Sequence, residues 1–469
     1  MGGGRGEVVG GTKARKYGST DKTRSQVLEA LGVVKIATAG QIRLLMCPGT
    51  ADAATVRGGC KDLEAEGLVI SAGRSVGVNT AGNRVSEKLW SLTPAGLDAA
   101  AVVLDRVARE MGGTAKAAAA SGAKHALRVT DTLGAFLQTP PEPTAPVLRK
   151  GAIPRPAPAL AERPPGLGPI AAWSTEVSLP VTGSFAAPGR GSVRADMVFV
   201  SPGAPVPLLF VEVDNGTEGP PIVARKIGQY RRFFRRTVSQ GGRDVVLWRT
   251  LWSAPEQPAH PPLALVFTRQ MDPAAMETRM REVAALSEPA WKGQWQKAFD
   301  SYGGAHVRDG YREYAGTVPV IVTVLDLLER RGPHGEVWWR YGREGWQTLA
   351  DALDTPDDYR AYRVREDQRR LIADAAREQE KREAERQRQR REAAAWPCPE
   401  CGRKVYPGGM NDDWSEAAVV RGGLCSICQS RADSAAREAL VLAQERAELE
   451  EQARLNGPFG FLRRPRPPH

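Results

Sequence analysis

Apolar residues in the first part of the chain recur at helical spacing in three short runs, and two strand-like runs follow. The helical runs are Val27, Leu28 and Leu31; Ile42, Leu44, Leu45 and Met46; and Val56, Cys60, Leu63 and Leu68; the strand-like runs are 68–70 and 88–92. Three helices followed by a hairpin are typical of a winged helix, whose third helix enters the major groove of DNA. We therefore predict a winged-helix DNA-binding domain over residues 21–138, with its third helix at about 52–66.

A second set of periodic segments follows a proline-rich stretch. We expect residues 139–170 to be a linker, because prolines at this density exclude regular structure. Apolar runs predict strands at 173–179, 194–200, 208–213, 263–268 and 318–325, and helices at 221–234 and 272–286. Residues 171–355 are thus predicted to form an α/β domain, closed by a segment whose Trp338, Trp339 and Trp346 are available for packing.

Charged and polar segments make up most of the remaining chain. Residues 356–395 are rich in Arg, Glu, Gln, Lys and Ala without a heptad seam, so we predict a solvent-exposed spacer helix. A four-cysteine module is predicted at 396–431, a charged helix and basic tail at 432–469, and a disordered Gly-rich arm at 1–20. A chain of 469 residues exceeds one ordinary core, so we expect a multidomain protein: an α+β winged helix, an α/β core, a long helix and a zinc ribbon-like module.

The charge balance favours an anionic partner. Lys and Arg outnumber Asp and Glu by 65 to 54, which gives a net charge of +11 and a pI near 9.5. A merely soluble basic protein would show the same totals, so charge alone leaves both interpretations open. The sequence has no apolar run of about 18 residues and no apolar signal core, so we expect a cytoplasmic, nucleoid- or plasmid-associated protein without membrane contact.

Two segments carry the residues that we expect to meet DNA. In the winged helix these are Thr55, Arg57 and Lys61 of the third helix and Arg74 and Arg84 near the hairpin tip. The same helix also carries four acids, Asp52, Asp62, Glu64 and Glu66. A purely architectural role for this domain therefore stays open.

The second segment is the predicted helix at 221–234 and the residues just after it, where basic and aromatic side chains are interleaved. Tyr230, Phe233 and Phe234 can pack inward while Arg231, Arg232 and Arg235 follow phosphates. The alternative is an amphipathic core helix with a solvated basic face.

Three acids and a lysine lie on two neighbouring predicted strands and the helix after them. Asp196 opens one strand, Glu212 and Asp214 end the next, and Lys226 lies in the helix. Alternation places Glu212 and Asp214 on one face of their strand, and strand pairing can bring Asp196 beside them. Converging carboxylates repel one another unless a cation such as Mg²⁺ or Mn²⁺ neutralises them.

Such a cation can support phosphodiester attack, with Lys226 adding positive charge. This interpretation makes Asp196, Glu212 and Asp214 metal ligands and, with Lys226, catalytic residues. The alternative is a set of ordinary strand-end acids that face water or pair with arginines.

The most specific motif is a pair of CxxC steps. Cys398 and Cys401, followed by Cys425 and Cys428, can together hold a metal ion. Four thiolates leave no open position for water, so we predict a structural Zn²⁺ site. The five histidines are scattered without paired spacing and no GxxxxGK[ST] phosphate loop occurs, so neither a metalloprotease nor a nucleotide-driven motor is supported.

The order winged helix, His-containing helix at about 125–137, proline-rich linker, Asp196 strand, FVEVDNGTE strand and KIGQYRRFF helix resembles the replication-relaxation family of Gram-positive plasmids and mobile elements. The resemblance covers roughly residues 20–330 and implies a restriction-endonuclease-like core of the PD-(D/E)XK kind. It implies that Asp196 is the first acid, Glu212 the second, and Lys226 a lysine displaced from the strand to the next helix, with Glu176 as an extra acid.

Two positions depart from the pattern of that core. Ala195 replaces the proline of the PD step, and Asp214 occupies the place of the usual strand lysine. The resemblance therefore leaves open whether the core cleaves DNA or is a degenerate version that only grips it.

Together these features predict a DNA-binding protein that acts in replication, copy control or transfer of a plasmid or mobile element, with an Mg²⁺-dependent endonuclease or nickase activity left open. One alternative is a non-enzymatic regulator whose core only forms a homodimer. Another is a scaffold that recruits replication or transfer proteins through its zinc module.

Overall fold

The computed structural model describes residues 18–47, 52–78, 84–106, 111, 113–114, 123–138, 164–252, 259–297, 310–407 and 422–457. Nearly all of the predicted arm, most of the predicted proline-rich linker and the basic tail lie outside the described residues. The chain forms two compact units, Met1–Tyr362 and Arg363–His469. Within the described residues, no helix has both the length and the apolar character needed to cross a membrane.

The first unit begins with helices and a hairpin in the predicted order. Its elements are α1 (Asp21–Val33), β1 (Ala37–Thr38), α2 (Ala39–Met46), α3 (Ala54–Ala65), β2 (Val69–Val78), β3 (Arg84–Leu92), α4 (Pro94–Leu104) and α5 (Ala123–Leu137). Thr20, Thr38 and Thr93 begin α1, α2 and α4, because their side chains accept N–H groups that the first helical turn leaves without partners. β1 and β2 both pair antiparallel with β3, so the strand order is β1-β3-β2.

A six-stranded mixed sheet organises the second part of this unit. The elements are β4 (Ala172–Leu179), β5 (Val193–Val200), β6 (Leu208–Asp214), α6 (Pro220–Phe234), β7 (Thr237–Gln240), β8 (Arg243–Val246), α7 (Leu247–Leu251), β9 (Leu263–Phe267), α8 (Pro273–Trp291), β10 (Gln294–Lys297), β11 (Gly310–Glu313), β12 (Val320–Val324), α9 (Leu325–Arg331), β13 (Trp339–Arg340) and α10 (Leu349–Leu353). The strand order is β13-β12-β9-β6-β5-β4, in which β6, β9 and β12 run parallel. Every residue of β6 and β9 is buried, as expected for strands covered on both faces.

Side chains from helices cover both faces of this sheet. On one face Phe210 of β6 packs edge-to-face on Tyr230 and Phe234 of α6. On the other face Phe199 of β5 contacts Phe136 of α5, with ring centroids 5.2 Å apart. The second contact belongs to a hydrophobic cluster that also contains residues of α1, α2 and α3. The predicted winged-helix and α/β segments therefore share one cluster of buried side chains.

The three tryptophans available for closing the α/β domain differ in burial. Trp338 is fully buried and stacks on Phe136, whereas Trp339 is half-buried. Trp346 is 45% exposed.

The second unit carries the long charged helix and the cysteines. Helix α11 (Tyr359–Ala393) begins just before this unit, and none of its residues is buried, in agreement with the predicted solvent-exposed helix. Strands β14 (Trp396–Pro397) and β15 (Lys404–Val405) pair antiparallel, and α12 (Ser426–Asn456) follows. The last helix begins directly after Cys425, whose side chain accepts the Cys428 N–H and so caps it.

Candidate functional site

Two buried carboxylates lie on neighbouring strands, at the place where the pairing of those strands ends. Asp196 of β5 is 6% exposed and Glu212 of β6 is 3% exposed. The antiparallel register of β5 with β6 stops at Met197 and Val211, one residue before the two acids. Beyond it, Asp196 Oδ2 accepts a hydrogen bond of 2.7 Å from the backbone N–H of Val213. We call this pair of acids and their polar partners the acidic centre.

Glu212 has two side-chain donors, both from α6. Lys226 Nζ lies 2.8 Å from one carboxylate oxygen, and the Tyr230 hydroxyl donates to the other at 2.8 Å. Lys226 also pairs with Glu218 at 3.0 Å. Burial raises the pKa of Glu212 and the nearby Asp196 adds to the rise, while Lys226 and Tyr230 act in the opposite direction. The structure thus places the predicted lysine directly on the predicted second acid.

Asp214 lies outside this arrangement. Its Oδ2 pairs with Arg279 of α8 at 2.6 Å, and its Oδ1 accepts the Gly216 N–H at 2.7 Å. The three predicted magnesium ligands therefore do not converge: within the described residues, the cysteines form the only group of three or more metal-ligating side chains with ligand atoms within 4.8 Å. Lys226 pairs with Glu212, and Arg279 pairs with Asp214, so basic side chains neutralise these acids in place of the expected cation. The residues do not fit a three-carboxylate Mg²⁺ site.

The extra acid, Glu176, lies in β4 where its pairing with β5 is irregular. The register runs from Thr175 to Val177 without pairing Glu176, whose φ of 56° is unusual for a residue with a side chain. Its carboxylate pairs with the buried Lys35 at 2.7 Å. Glu176 therefore links the sheet to the N-terminal helices.

His125 of α5 joins the acidic centre, although the sequence analysis gave it no role in the site. Its Nε2 lies 3.0 Å from Asp196 Oδ1, and its Nδ1 lies 3.3 Å from Asn215 Nδ2. The hydrogen bond with Asp196 raises the pKa of His125 against the effect of burial. The five histidines have no paired spacing, and the signals for His125 were its place in the helix that forms part of the family resemblance and its position beside the buried Ala126.

The predicted DNA-contacting residues of α3 lie on its exposed side. Thr55, Arg57 and Lys61 are all exposed. Two of the acids that made this helix doubtful have partners within the unit, since Asp62 accepts the Ser19 N–H at 2.8 Å and Glu64 pairs with Lys88 at 2.8 Å.

In the hairpin, Arg74 is exposed and donates to the Ser86 Oγ at 2.9 Å, so it lies along the opposite strand. Arg84 begins β3, and its side chain lies outside the described residues. The structure therefore locates one of the two predicted hairpin arginines.

Helix α6 separates its aromatic and basic residues onto different sides. Tyr230, Phe233 and Phe234 are fully buried, as predicted. Arg232 and Arg235 are exposed, as is Arg225 in the first half of the helix. We call Arg225, Arg232 and Arg235 the basic face. Arg231 is half-buried instead and donates to the Gly316 carbonyl at 2.8 Å, so it supports the fold.

The four cysteines of the second unit form one cluster. Their sulfur atoms all lie within 4.8 Å of one another, and all four are free thiols. Sulfurs around a tetrahedral Zn²⁺ with Zn–S bonds of about 2.3 Å are about 3.8 Å apart, and Cys401 Sγ lies 3.5 Å from Cys425 Sγ. The Cys425 N–H lowers the pKa of the Cys398 thiol to about 6, which favours the thiolate that binds metal. The cluster can therefore hold a metal ion such as zinc.

Comparison with known proteins identifies one family. Residues 28–246 match the model of the family described as replication-relaxation. The match starts within α1 and ends with β8, so it contains the acidic centre's strands and the basic face but not the four cysteines. No curated protein and no solved structure matches the chain.

Proposed function

We propose that this chain, whose residues 28–246 match the replication-relaxation family, binds DNA and acts in the replication, copy control or transfer of a plasmid or mobile element. The observation that carries the proposal is the basic face of α6. The aromatic side chains of this helix are buried, and its three exposed arginines supply the positive charge that phosphate contacts need.

The contacts of α6 favour a DNA role over a merely solvated helix face. None of the three arginines of the basic face forms an ion pair with another described residue. Arg231 and Arg236, by contrast, donate to backbone carbonyls of Gly316 and of Pro180 and Gly183. The helix is therefore fixed by two of its arginines, and the basic face keeps its donors for a ligand.

A second DNA contact is proposed at α3, which we interpret as the recognition helix of a winged helix. Its exposed Thr55, Arg57 and Lys61 would face the major groove, with the β2–β3 hairpin as the wing. The ion pair of Glu64 with Lys88 supports this interpretation, because it neutralises one of the acids on α3 that would repel phosphates.

The test is duplex binding measured by fluorescence anisotropy. The double variant Arg232→Gln/Arg235→Gln should weaken binding to unrelated duplex sequences by a similar factor, because phosphate contacts carry no base information. The matched control is Lys292→Gln, which removes an exposed lysine already paired with Glu288. Equal affinities of wild type and double variant would show that the basic face does not contact DNA.

A second candidate function is strand cleavage at the acidic centre. It is favoured by the burial of Asp196 and Glu212 at the end of a strand pairing, next to Lys226, since buried carboxylates with a like-charged neighbour are concentrated at functional sites. Here Lys226 would hold positive charge near a phosphate, and Asp196 would position His125.

Supercoiled plasmid incubated with the protein, with and without Mg²⁺ or Mn²⁺, tests the second candidate. Nicking that is lost in both Asp196→Ala and Glu212→Ala, while both variants keep the circular dichroism spectrum and the duplex affinity of wild type, would establish cleavage at this centre. If the protein binds DNA but nicks it with neither ion, cleavage is rejected and only DNA binding remains.

A further inference from the structure

A cavity of about 520 Å³ lies at the carboxyl ends of two parallel strands of the sheet. Phe267 ends β9 and Val324 ends β12, and both line the cavity. Ligands of open α/β sheets bind outside the carboxyl ends of the strands. Every described residue that lines the cavity lies beyond residue 246, outside the segment that matches the family.

The lining of this cavity suits a flat, uncharged ring. Trp339 and the 45% exposed Trp346 offer aromatic faces, and Met271, Met276 and Met280 offer polarizable side chains.

Four of the six charged residues in the lining form two ion pairs, and the other two are Arg269 and Glu344. Arg281 pairs with Glu277 at 2.7 Å and Arg330 pairs with Asp326 at 2.5 Å. The Arg281 guanidinium also lies 5.5 Å from the ring centroid of Trp339. A ligand ring on Trp339 and Trp346 would therefore meet aromatic and apolar surface beside charges that are already paired.

Arg269 gives the cavity an exposed positive group. Within the described residues it forms no ion pair, and its Nη1 donates only a long hydrogen bond of 3.3 Å to the Gly216 carbonyl. A phosphate joined to a ring in the cavity would find a guanidinium here that can bind two of its oxygens.

The cavity also communicates with the acidic centre through side chains. Thr268, which lines the cavity, donates to Asn215 Oδ1 at 2.5 Å, and Asn215 Nδ2 lies 3.3 Å from His125 Nδ1. His125 in turn contacts Asp196. One hydrogen-bonded path thus joins the cavity wall to the acidic centre.

We infer that this cavity receives a nucleobase of a DNA strand, stacked on Trp346 and Trp339, with the phosphate of that nucleotide at Arg269. Aromatic faces accept any base, because every base has a π face. The inference rests on the proposed DNA function for the source of the base. It adds a site for an unpaired nucleotide to the duplex contacts of α3 and α6.

The probe is a single-stranded dodecamer with one 2-aminopurine, a base whose fluorescence is quenched by stacking, titrated with the full-length protein. Trp346→Ala should raise Kd for quenching by at least about fivefold, the lower end of what one base–aromatic stack contributes. Trp295→Ala is the matched control, because Trp295 is 47% exposed and does not line the cavity. Arg269→Gln should weaken quenching of 2-aminopurine deoxyribonucleotide but not of the phosphate-free nucleoside.

An unquenched dodecamer, or equal quenching by wild type and Trp346→Ala, would overturn the inference. Duplex anisotropy measured in parallel separates it from the proposed function. If the protein binds duplex but quenching does not depend on Trp346, the base-binding role of the cavity is wrong and the proposed DNA binding stands. If Trp346 is needed to quench the free nucleotide but the protein binds no DNA strand, the ligand of the cavity is not a base of DNA. That result also contradicts the proposed function.

Discussion

At the residue scale, Glu212 shows what a buried charge requires. Its two oxygens are held by Lys226 and Tyr230 at 2.8 Å each, beside the apolar cluster of the sheet. Removing one member of such a pair leaves an uncompensated charge away from water, which destabilises more than the pair itself stabilises. The Glu212–Lys226 contact therefore stabilises the folded unit whatever the acidic centre does with DNA.

The variant Lys226→Met should lower the free energy of unfolding by about 3 kcal/mol, because Glu212 keeps only the Tyr230 hydroxyl. Urea denaturation followed by circular dichroism measures the loss. Lys292→Met, which breaks an exposed pair with Glu288, should change stability by less than about 1 kcal/mol. Similar losses of unfolding free energy in both variants would show that the buried pair stabilises the fold no more than the exposed pair does.

His260 provides a pH prediction next to α6. Burial, together with Arg235, Arg231 and Arg249, lowers its pKa to about 4. The depressed pKa means that neutral His260 contributes stability above the ordinary histidine pKa of about 6.5, and that this contribution is lost as the pH falls through about 4. Titration of the histidine ring protons by NMR, with His260→Asn to identify the signal, should give a midpoint near that value. A midpoint near 6.5 would contradict the burial of a neutral ring.

At the scale of elements, local pattern was sufficient where burial is periodic or continuous. The apolar runs predicted β5 and β6, and the spacing of Tyr230, Phe233 and Phe234 predicted the buried side of α6. Lys226 and Tyr230, four residues apart on one helix, carried a signal that both could reach the same carboxylate.

The β7–β8 hairpin was not predicted although its turn was readable. Gly241 and Gly242 both have positive φ, 61° and 76°, which a two-residue hairpin turn requires. The flanking strands are short and mostly exposed, so they lack the apolar alternation that marks a half-buried strand. Partners such as His125 for Asp196 and Arg279 for Asp214 lie 71 and 65 residues away in sequence, where spacing carries no information.

The cysteine cluster ties α12 to the β14–β15 hairpin, so metal removal is a prediction at this scale. Purified protein should contain one Zn²⁺ per chain, and Cys428→Ser should lower that content, because Cys428 supplies a ligand from the first turn of α12. A chelator should make the four thiols react with a thiol reagent. Thiol reactivity that a chelator leaves unchanged would mean that the cluster holds no metal.

At the scale of the whole molecule, the first unit is built around contacts that no local pattern contains. Phe136 of α5 lies between Phe199 of the sheet and Trp338, and the same cluster continues into α1, α2 and α3. The sequence predicted the winged-helix and α/β segments separately, because each has its own periodicity. Their common cluster depends on long-range packing, and the predicted homodimer and zinc-module partner remain predictions.

The central claim is that the basic face of α6 binds DNA phosphates. The most direct measurement is the salt dependence of duplex binding for wild type and for Arg232→Gln/Arg235→Gln. Each phosphate contact contributes about 0.9 to the slope of log K against log salt, so the double variant should have a slope shallower by about 1.8. Equal slopes, or no duplex binding by the wild type at low salt, would contradict the claim.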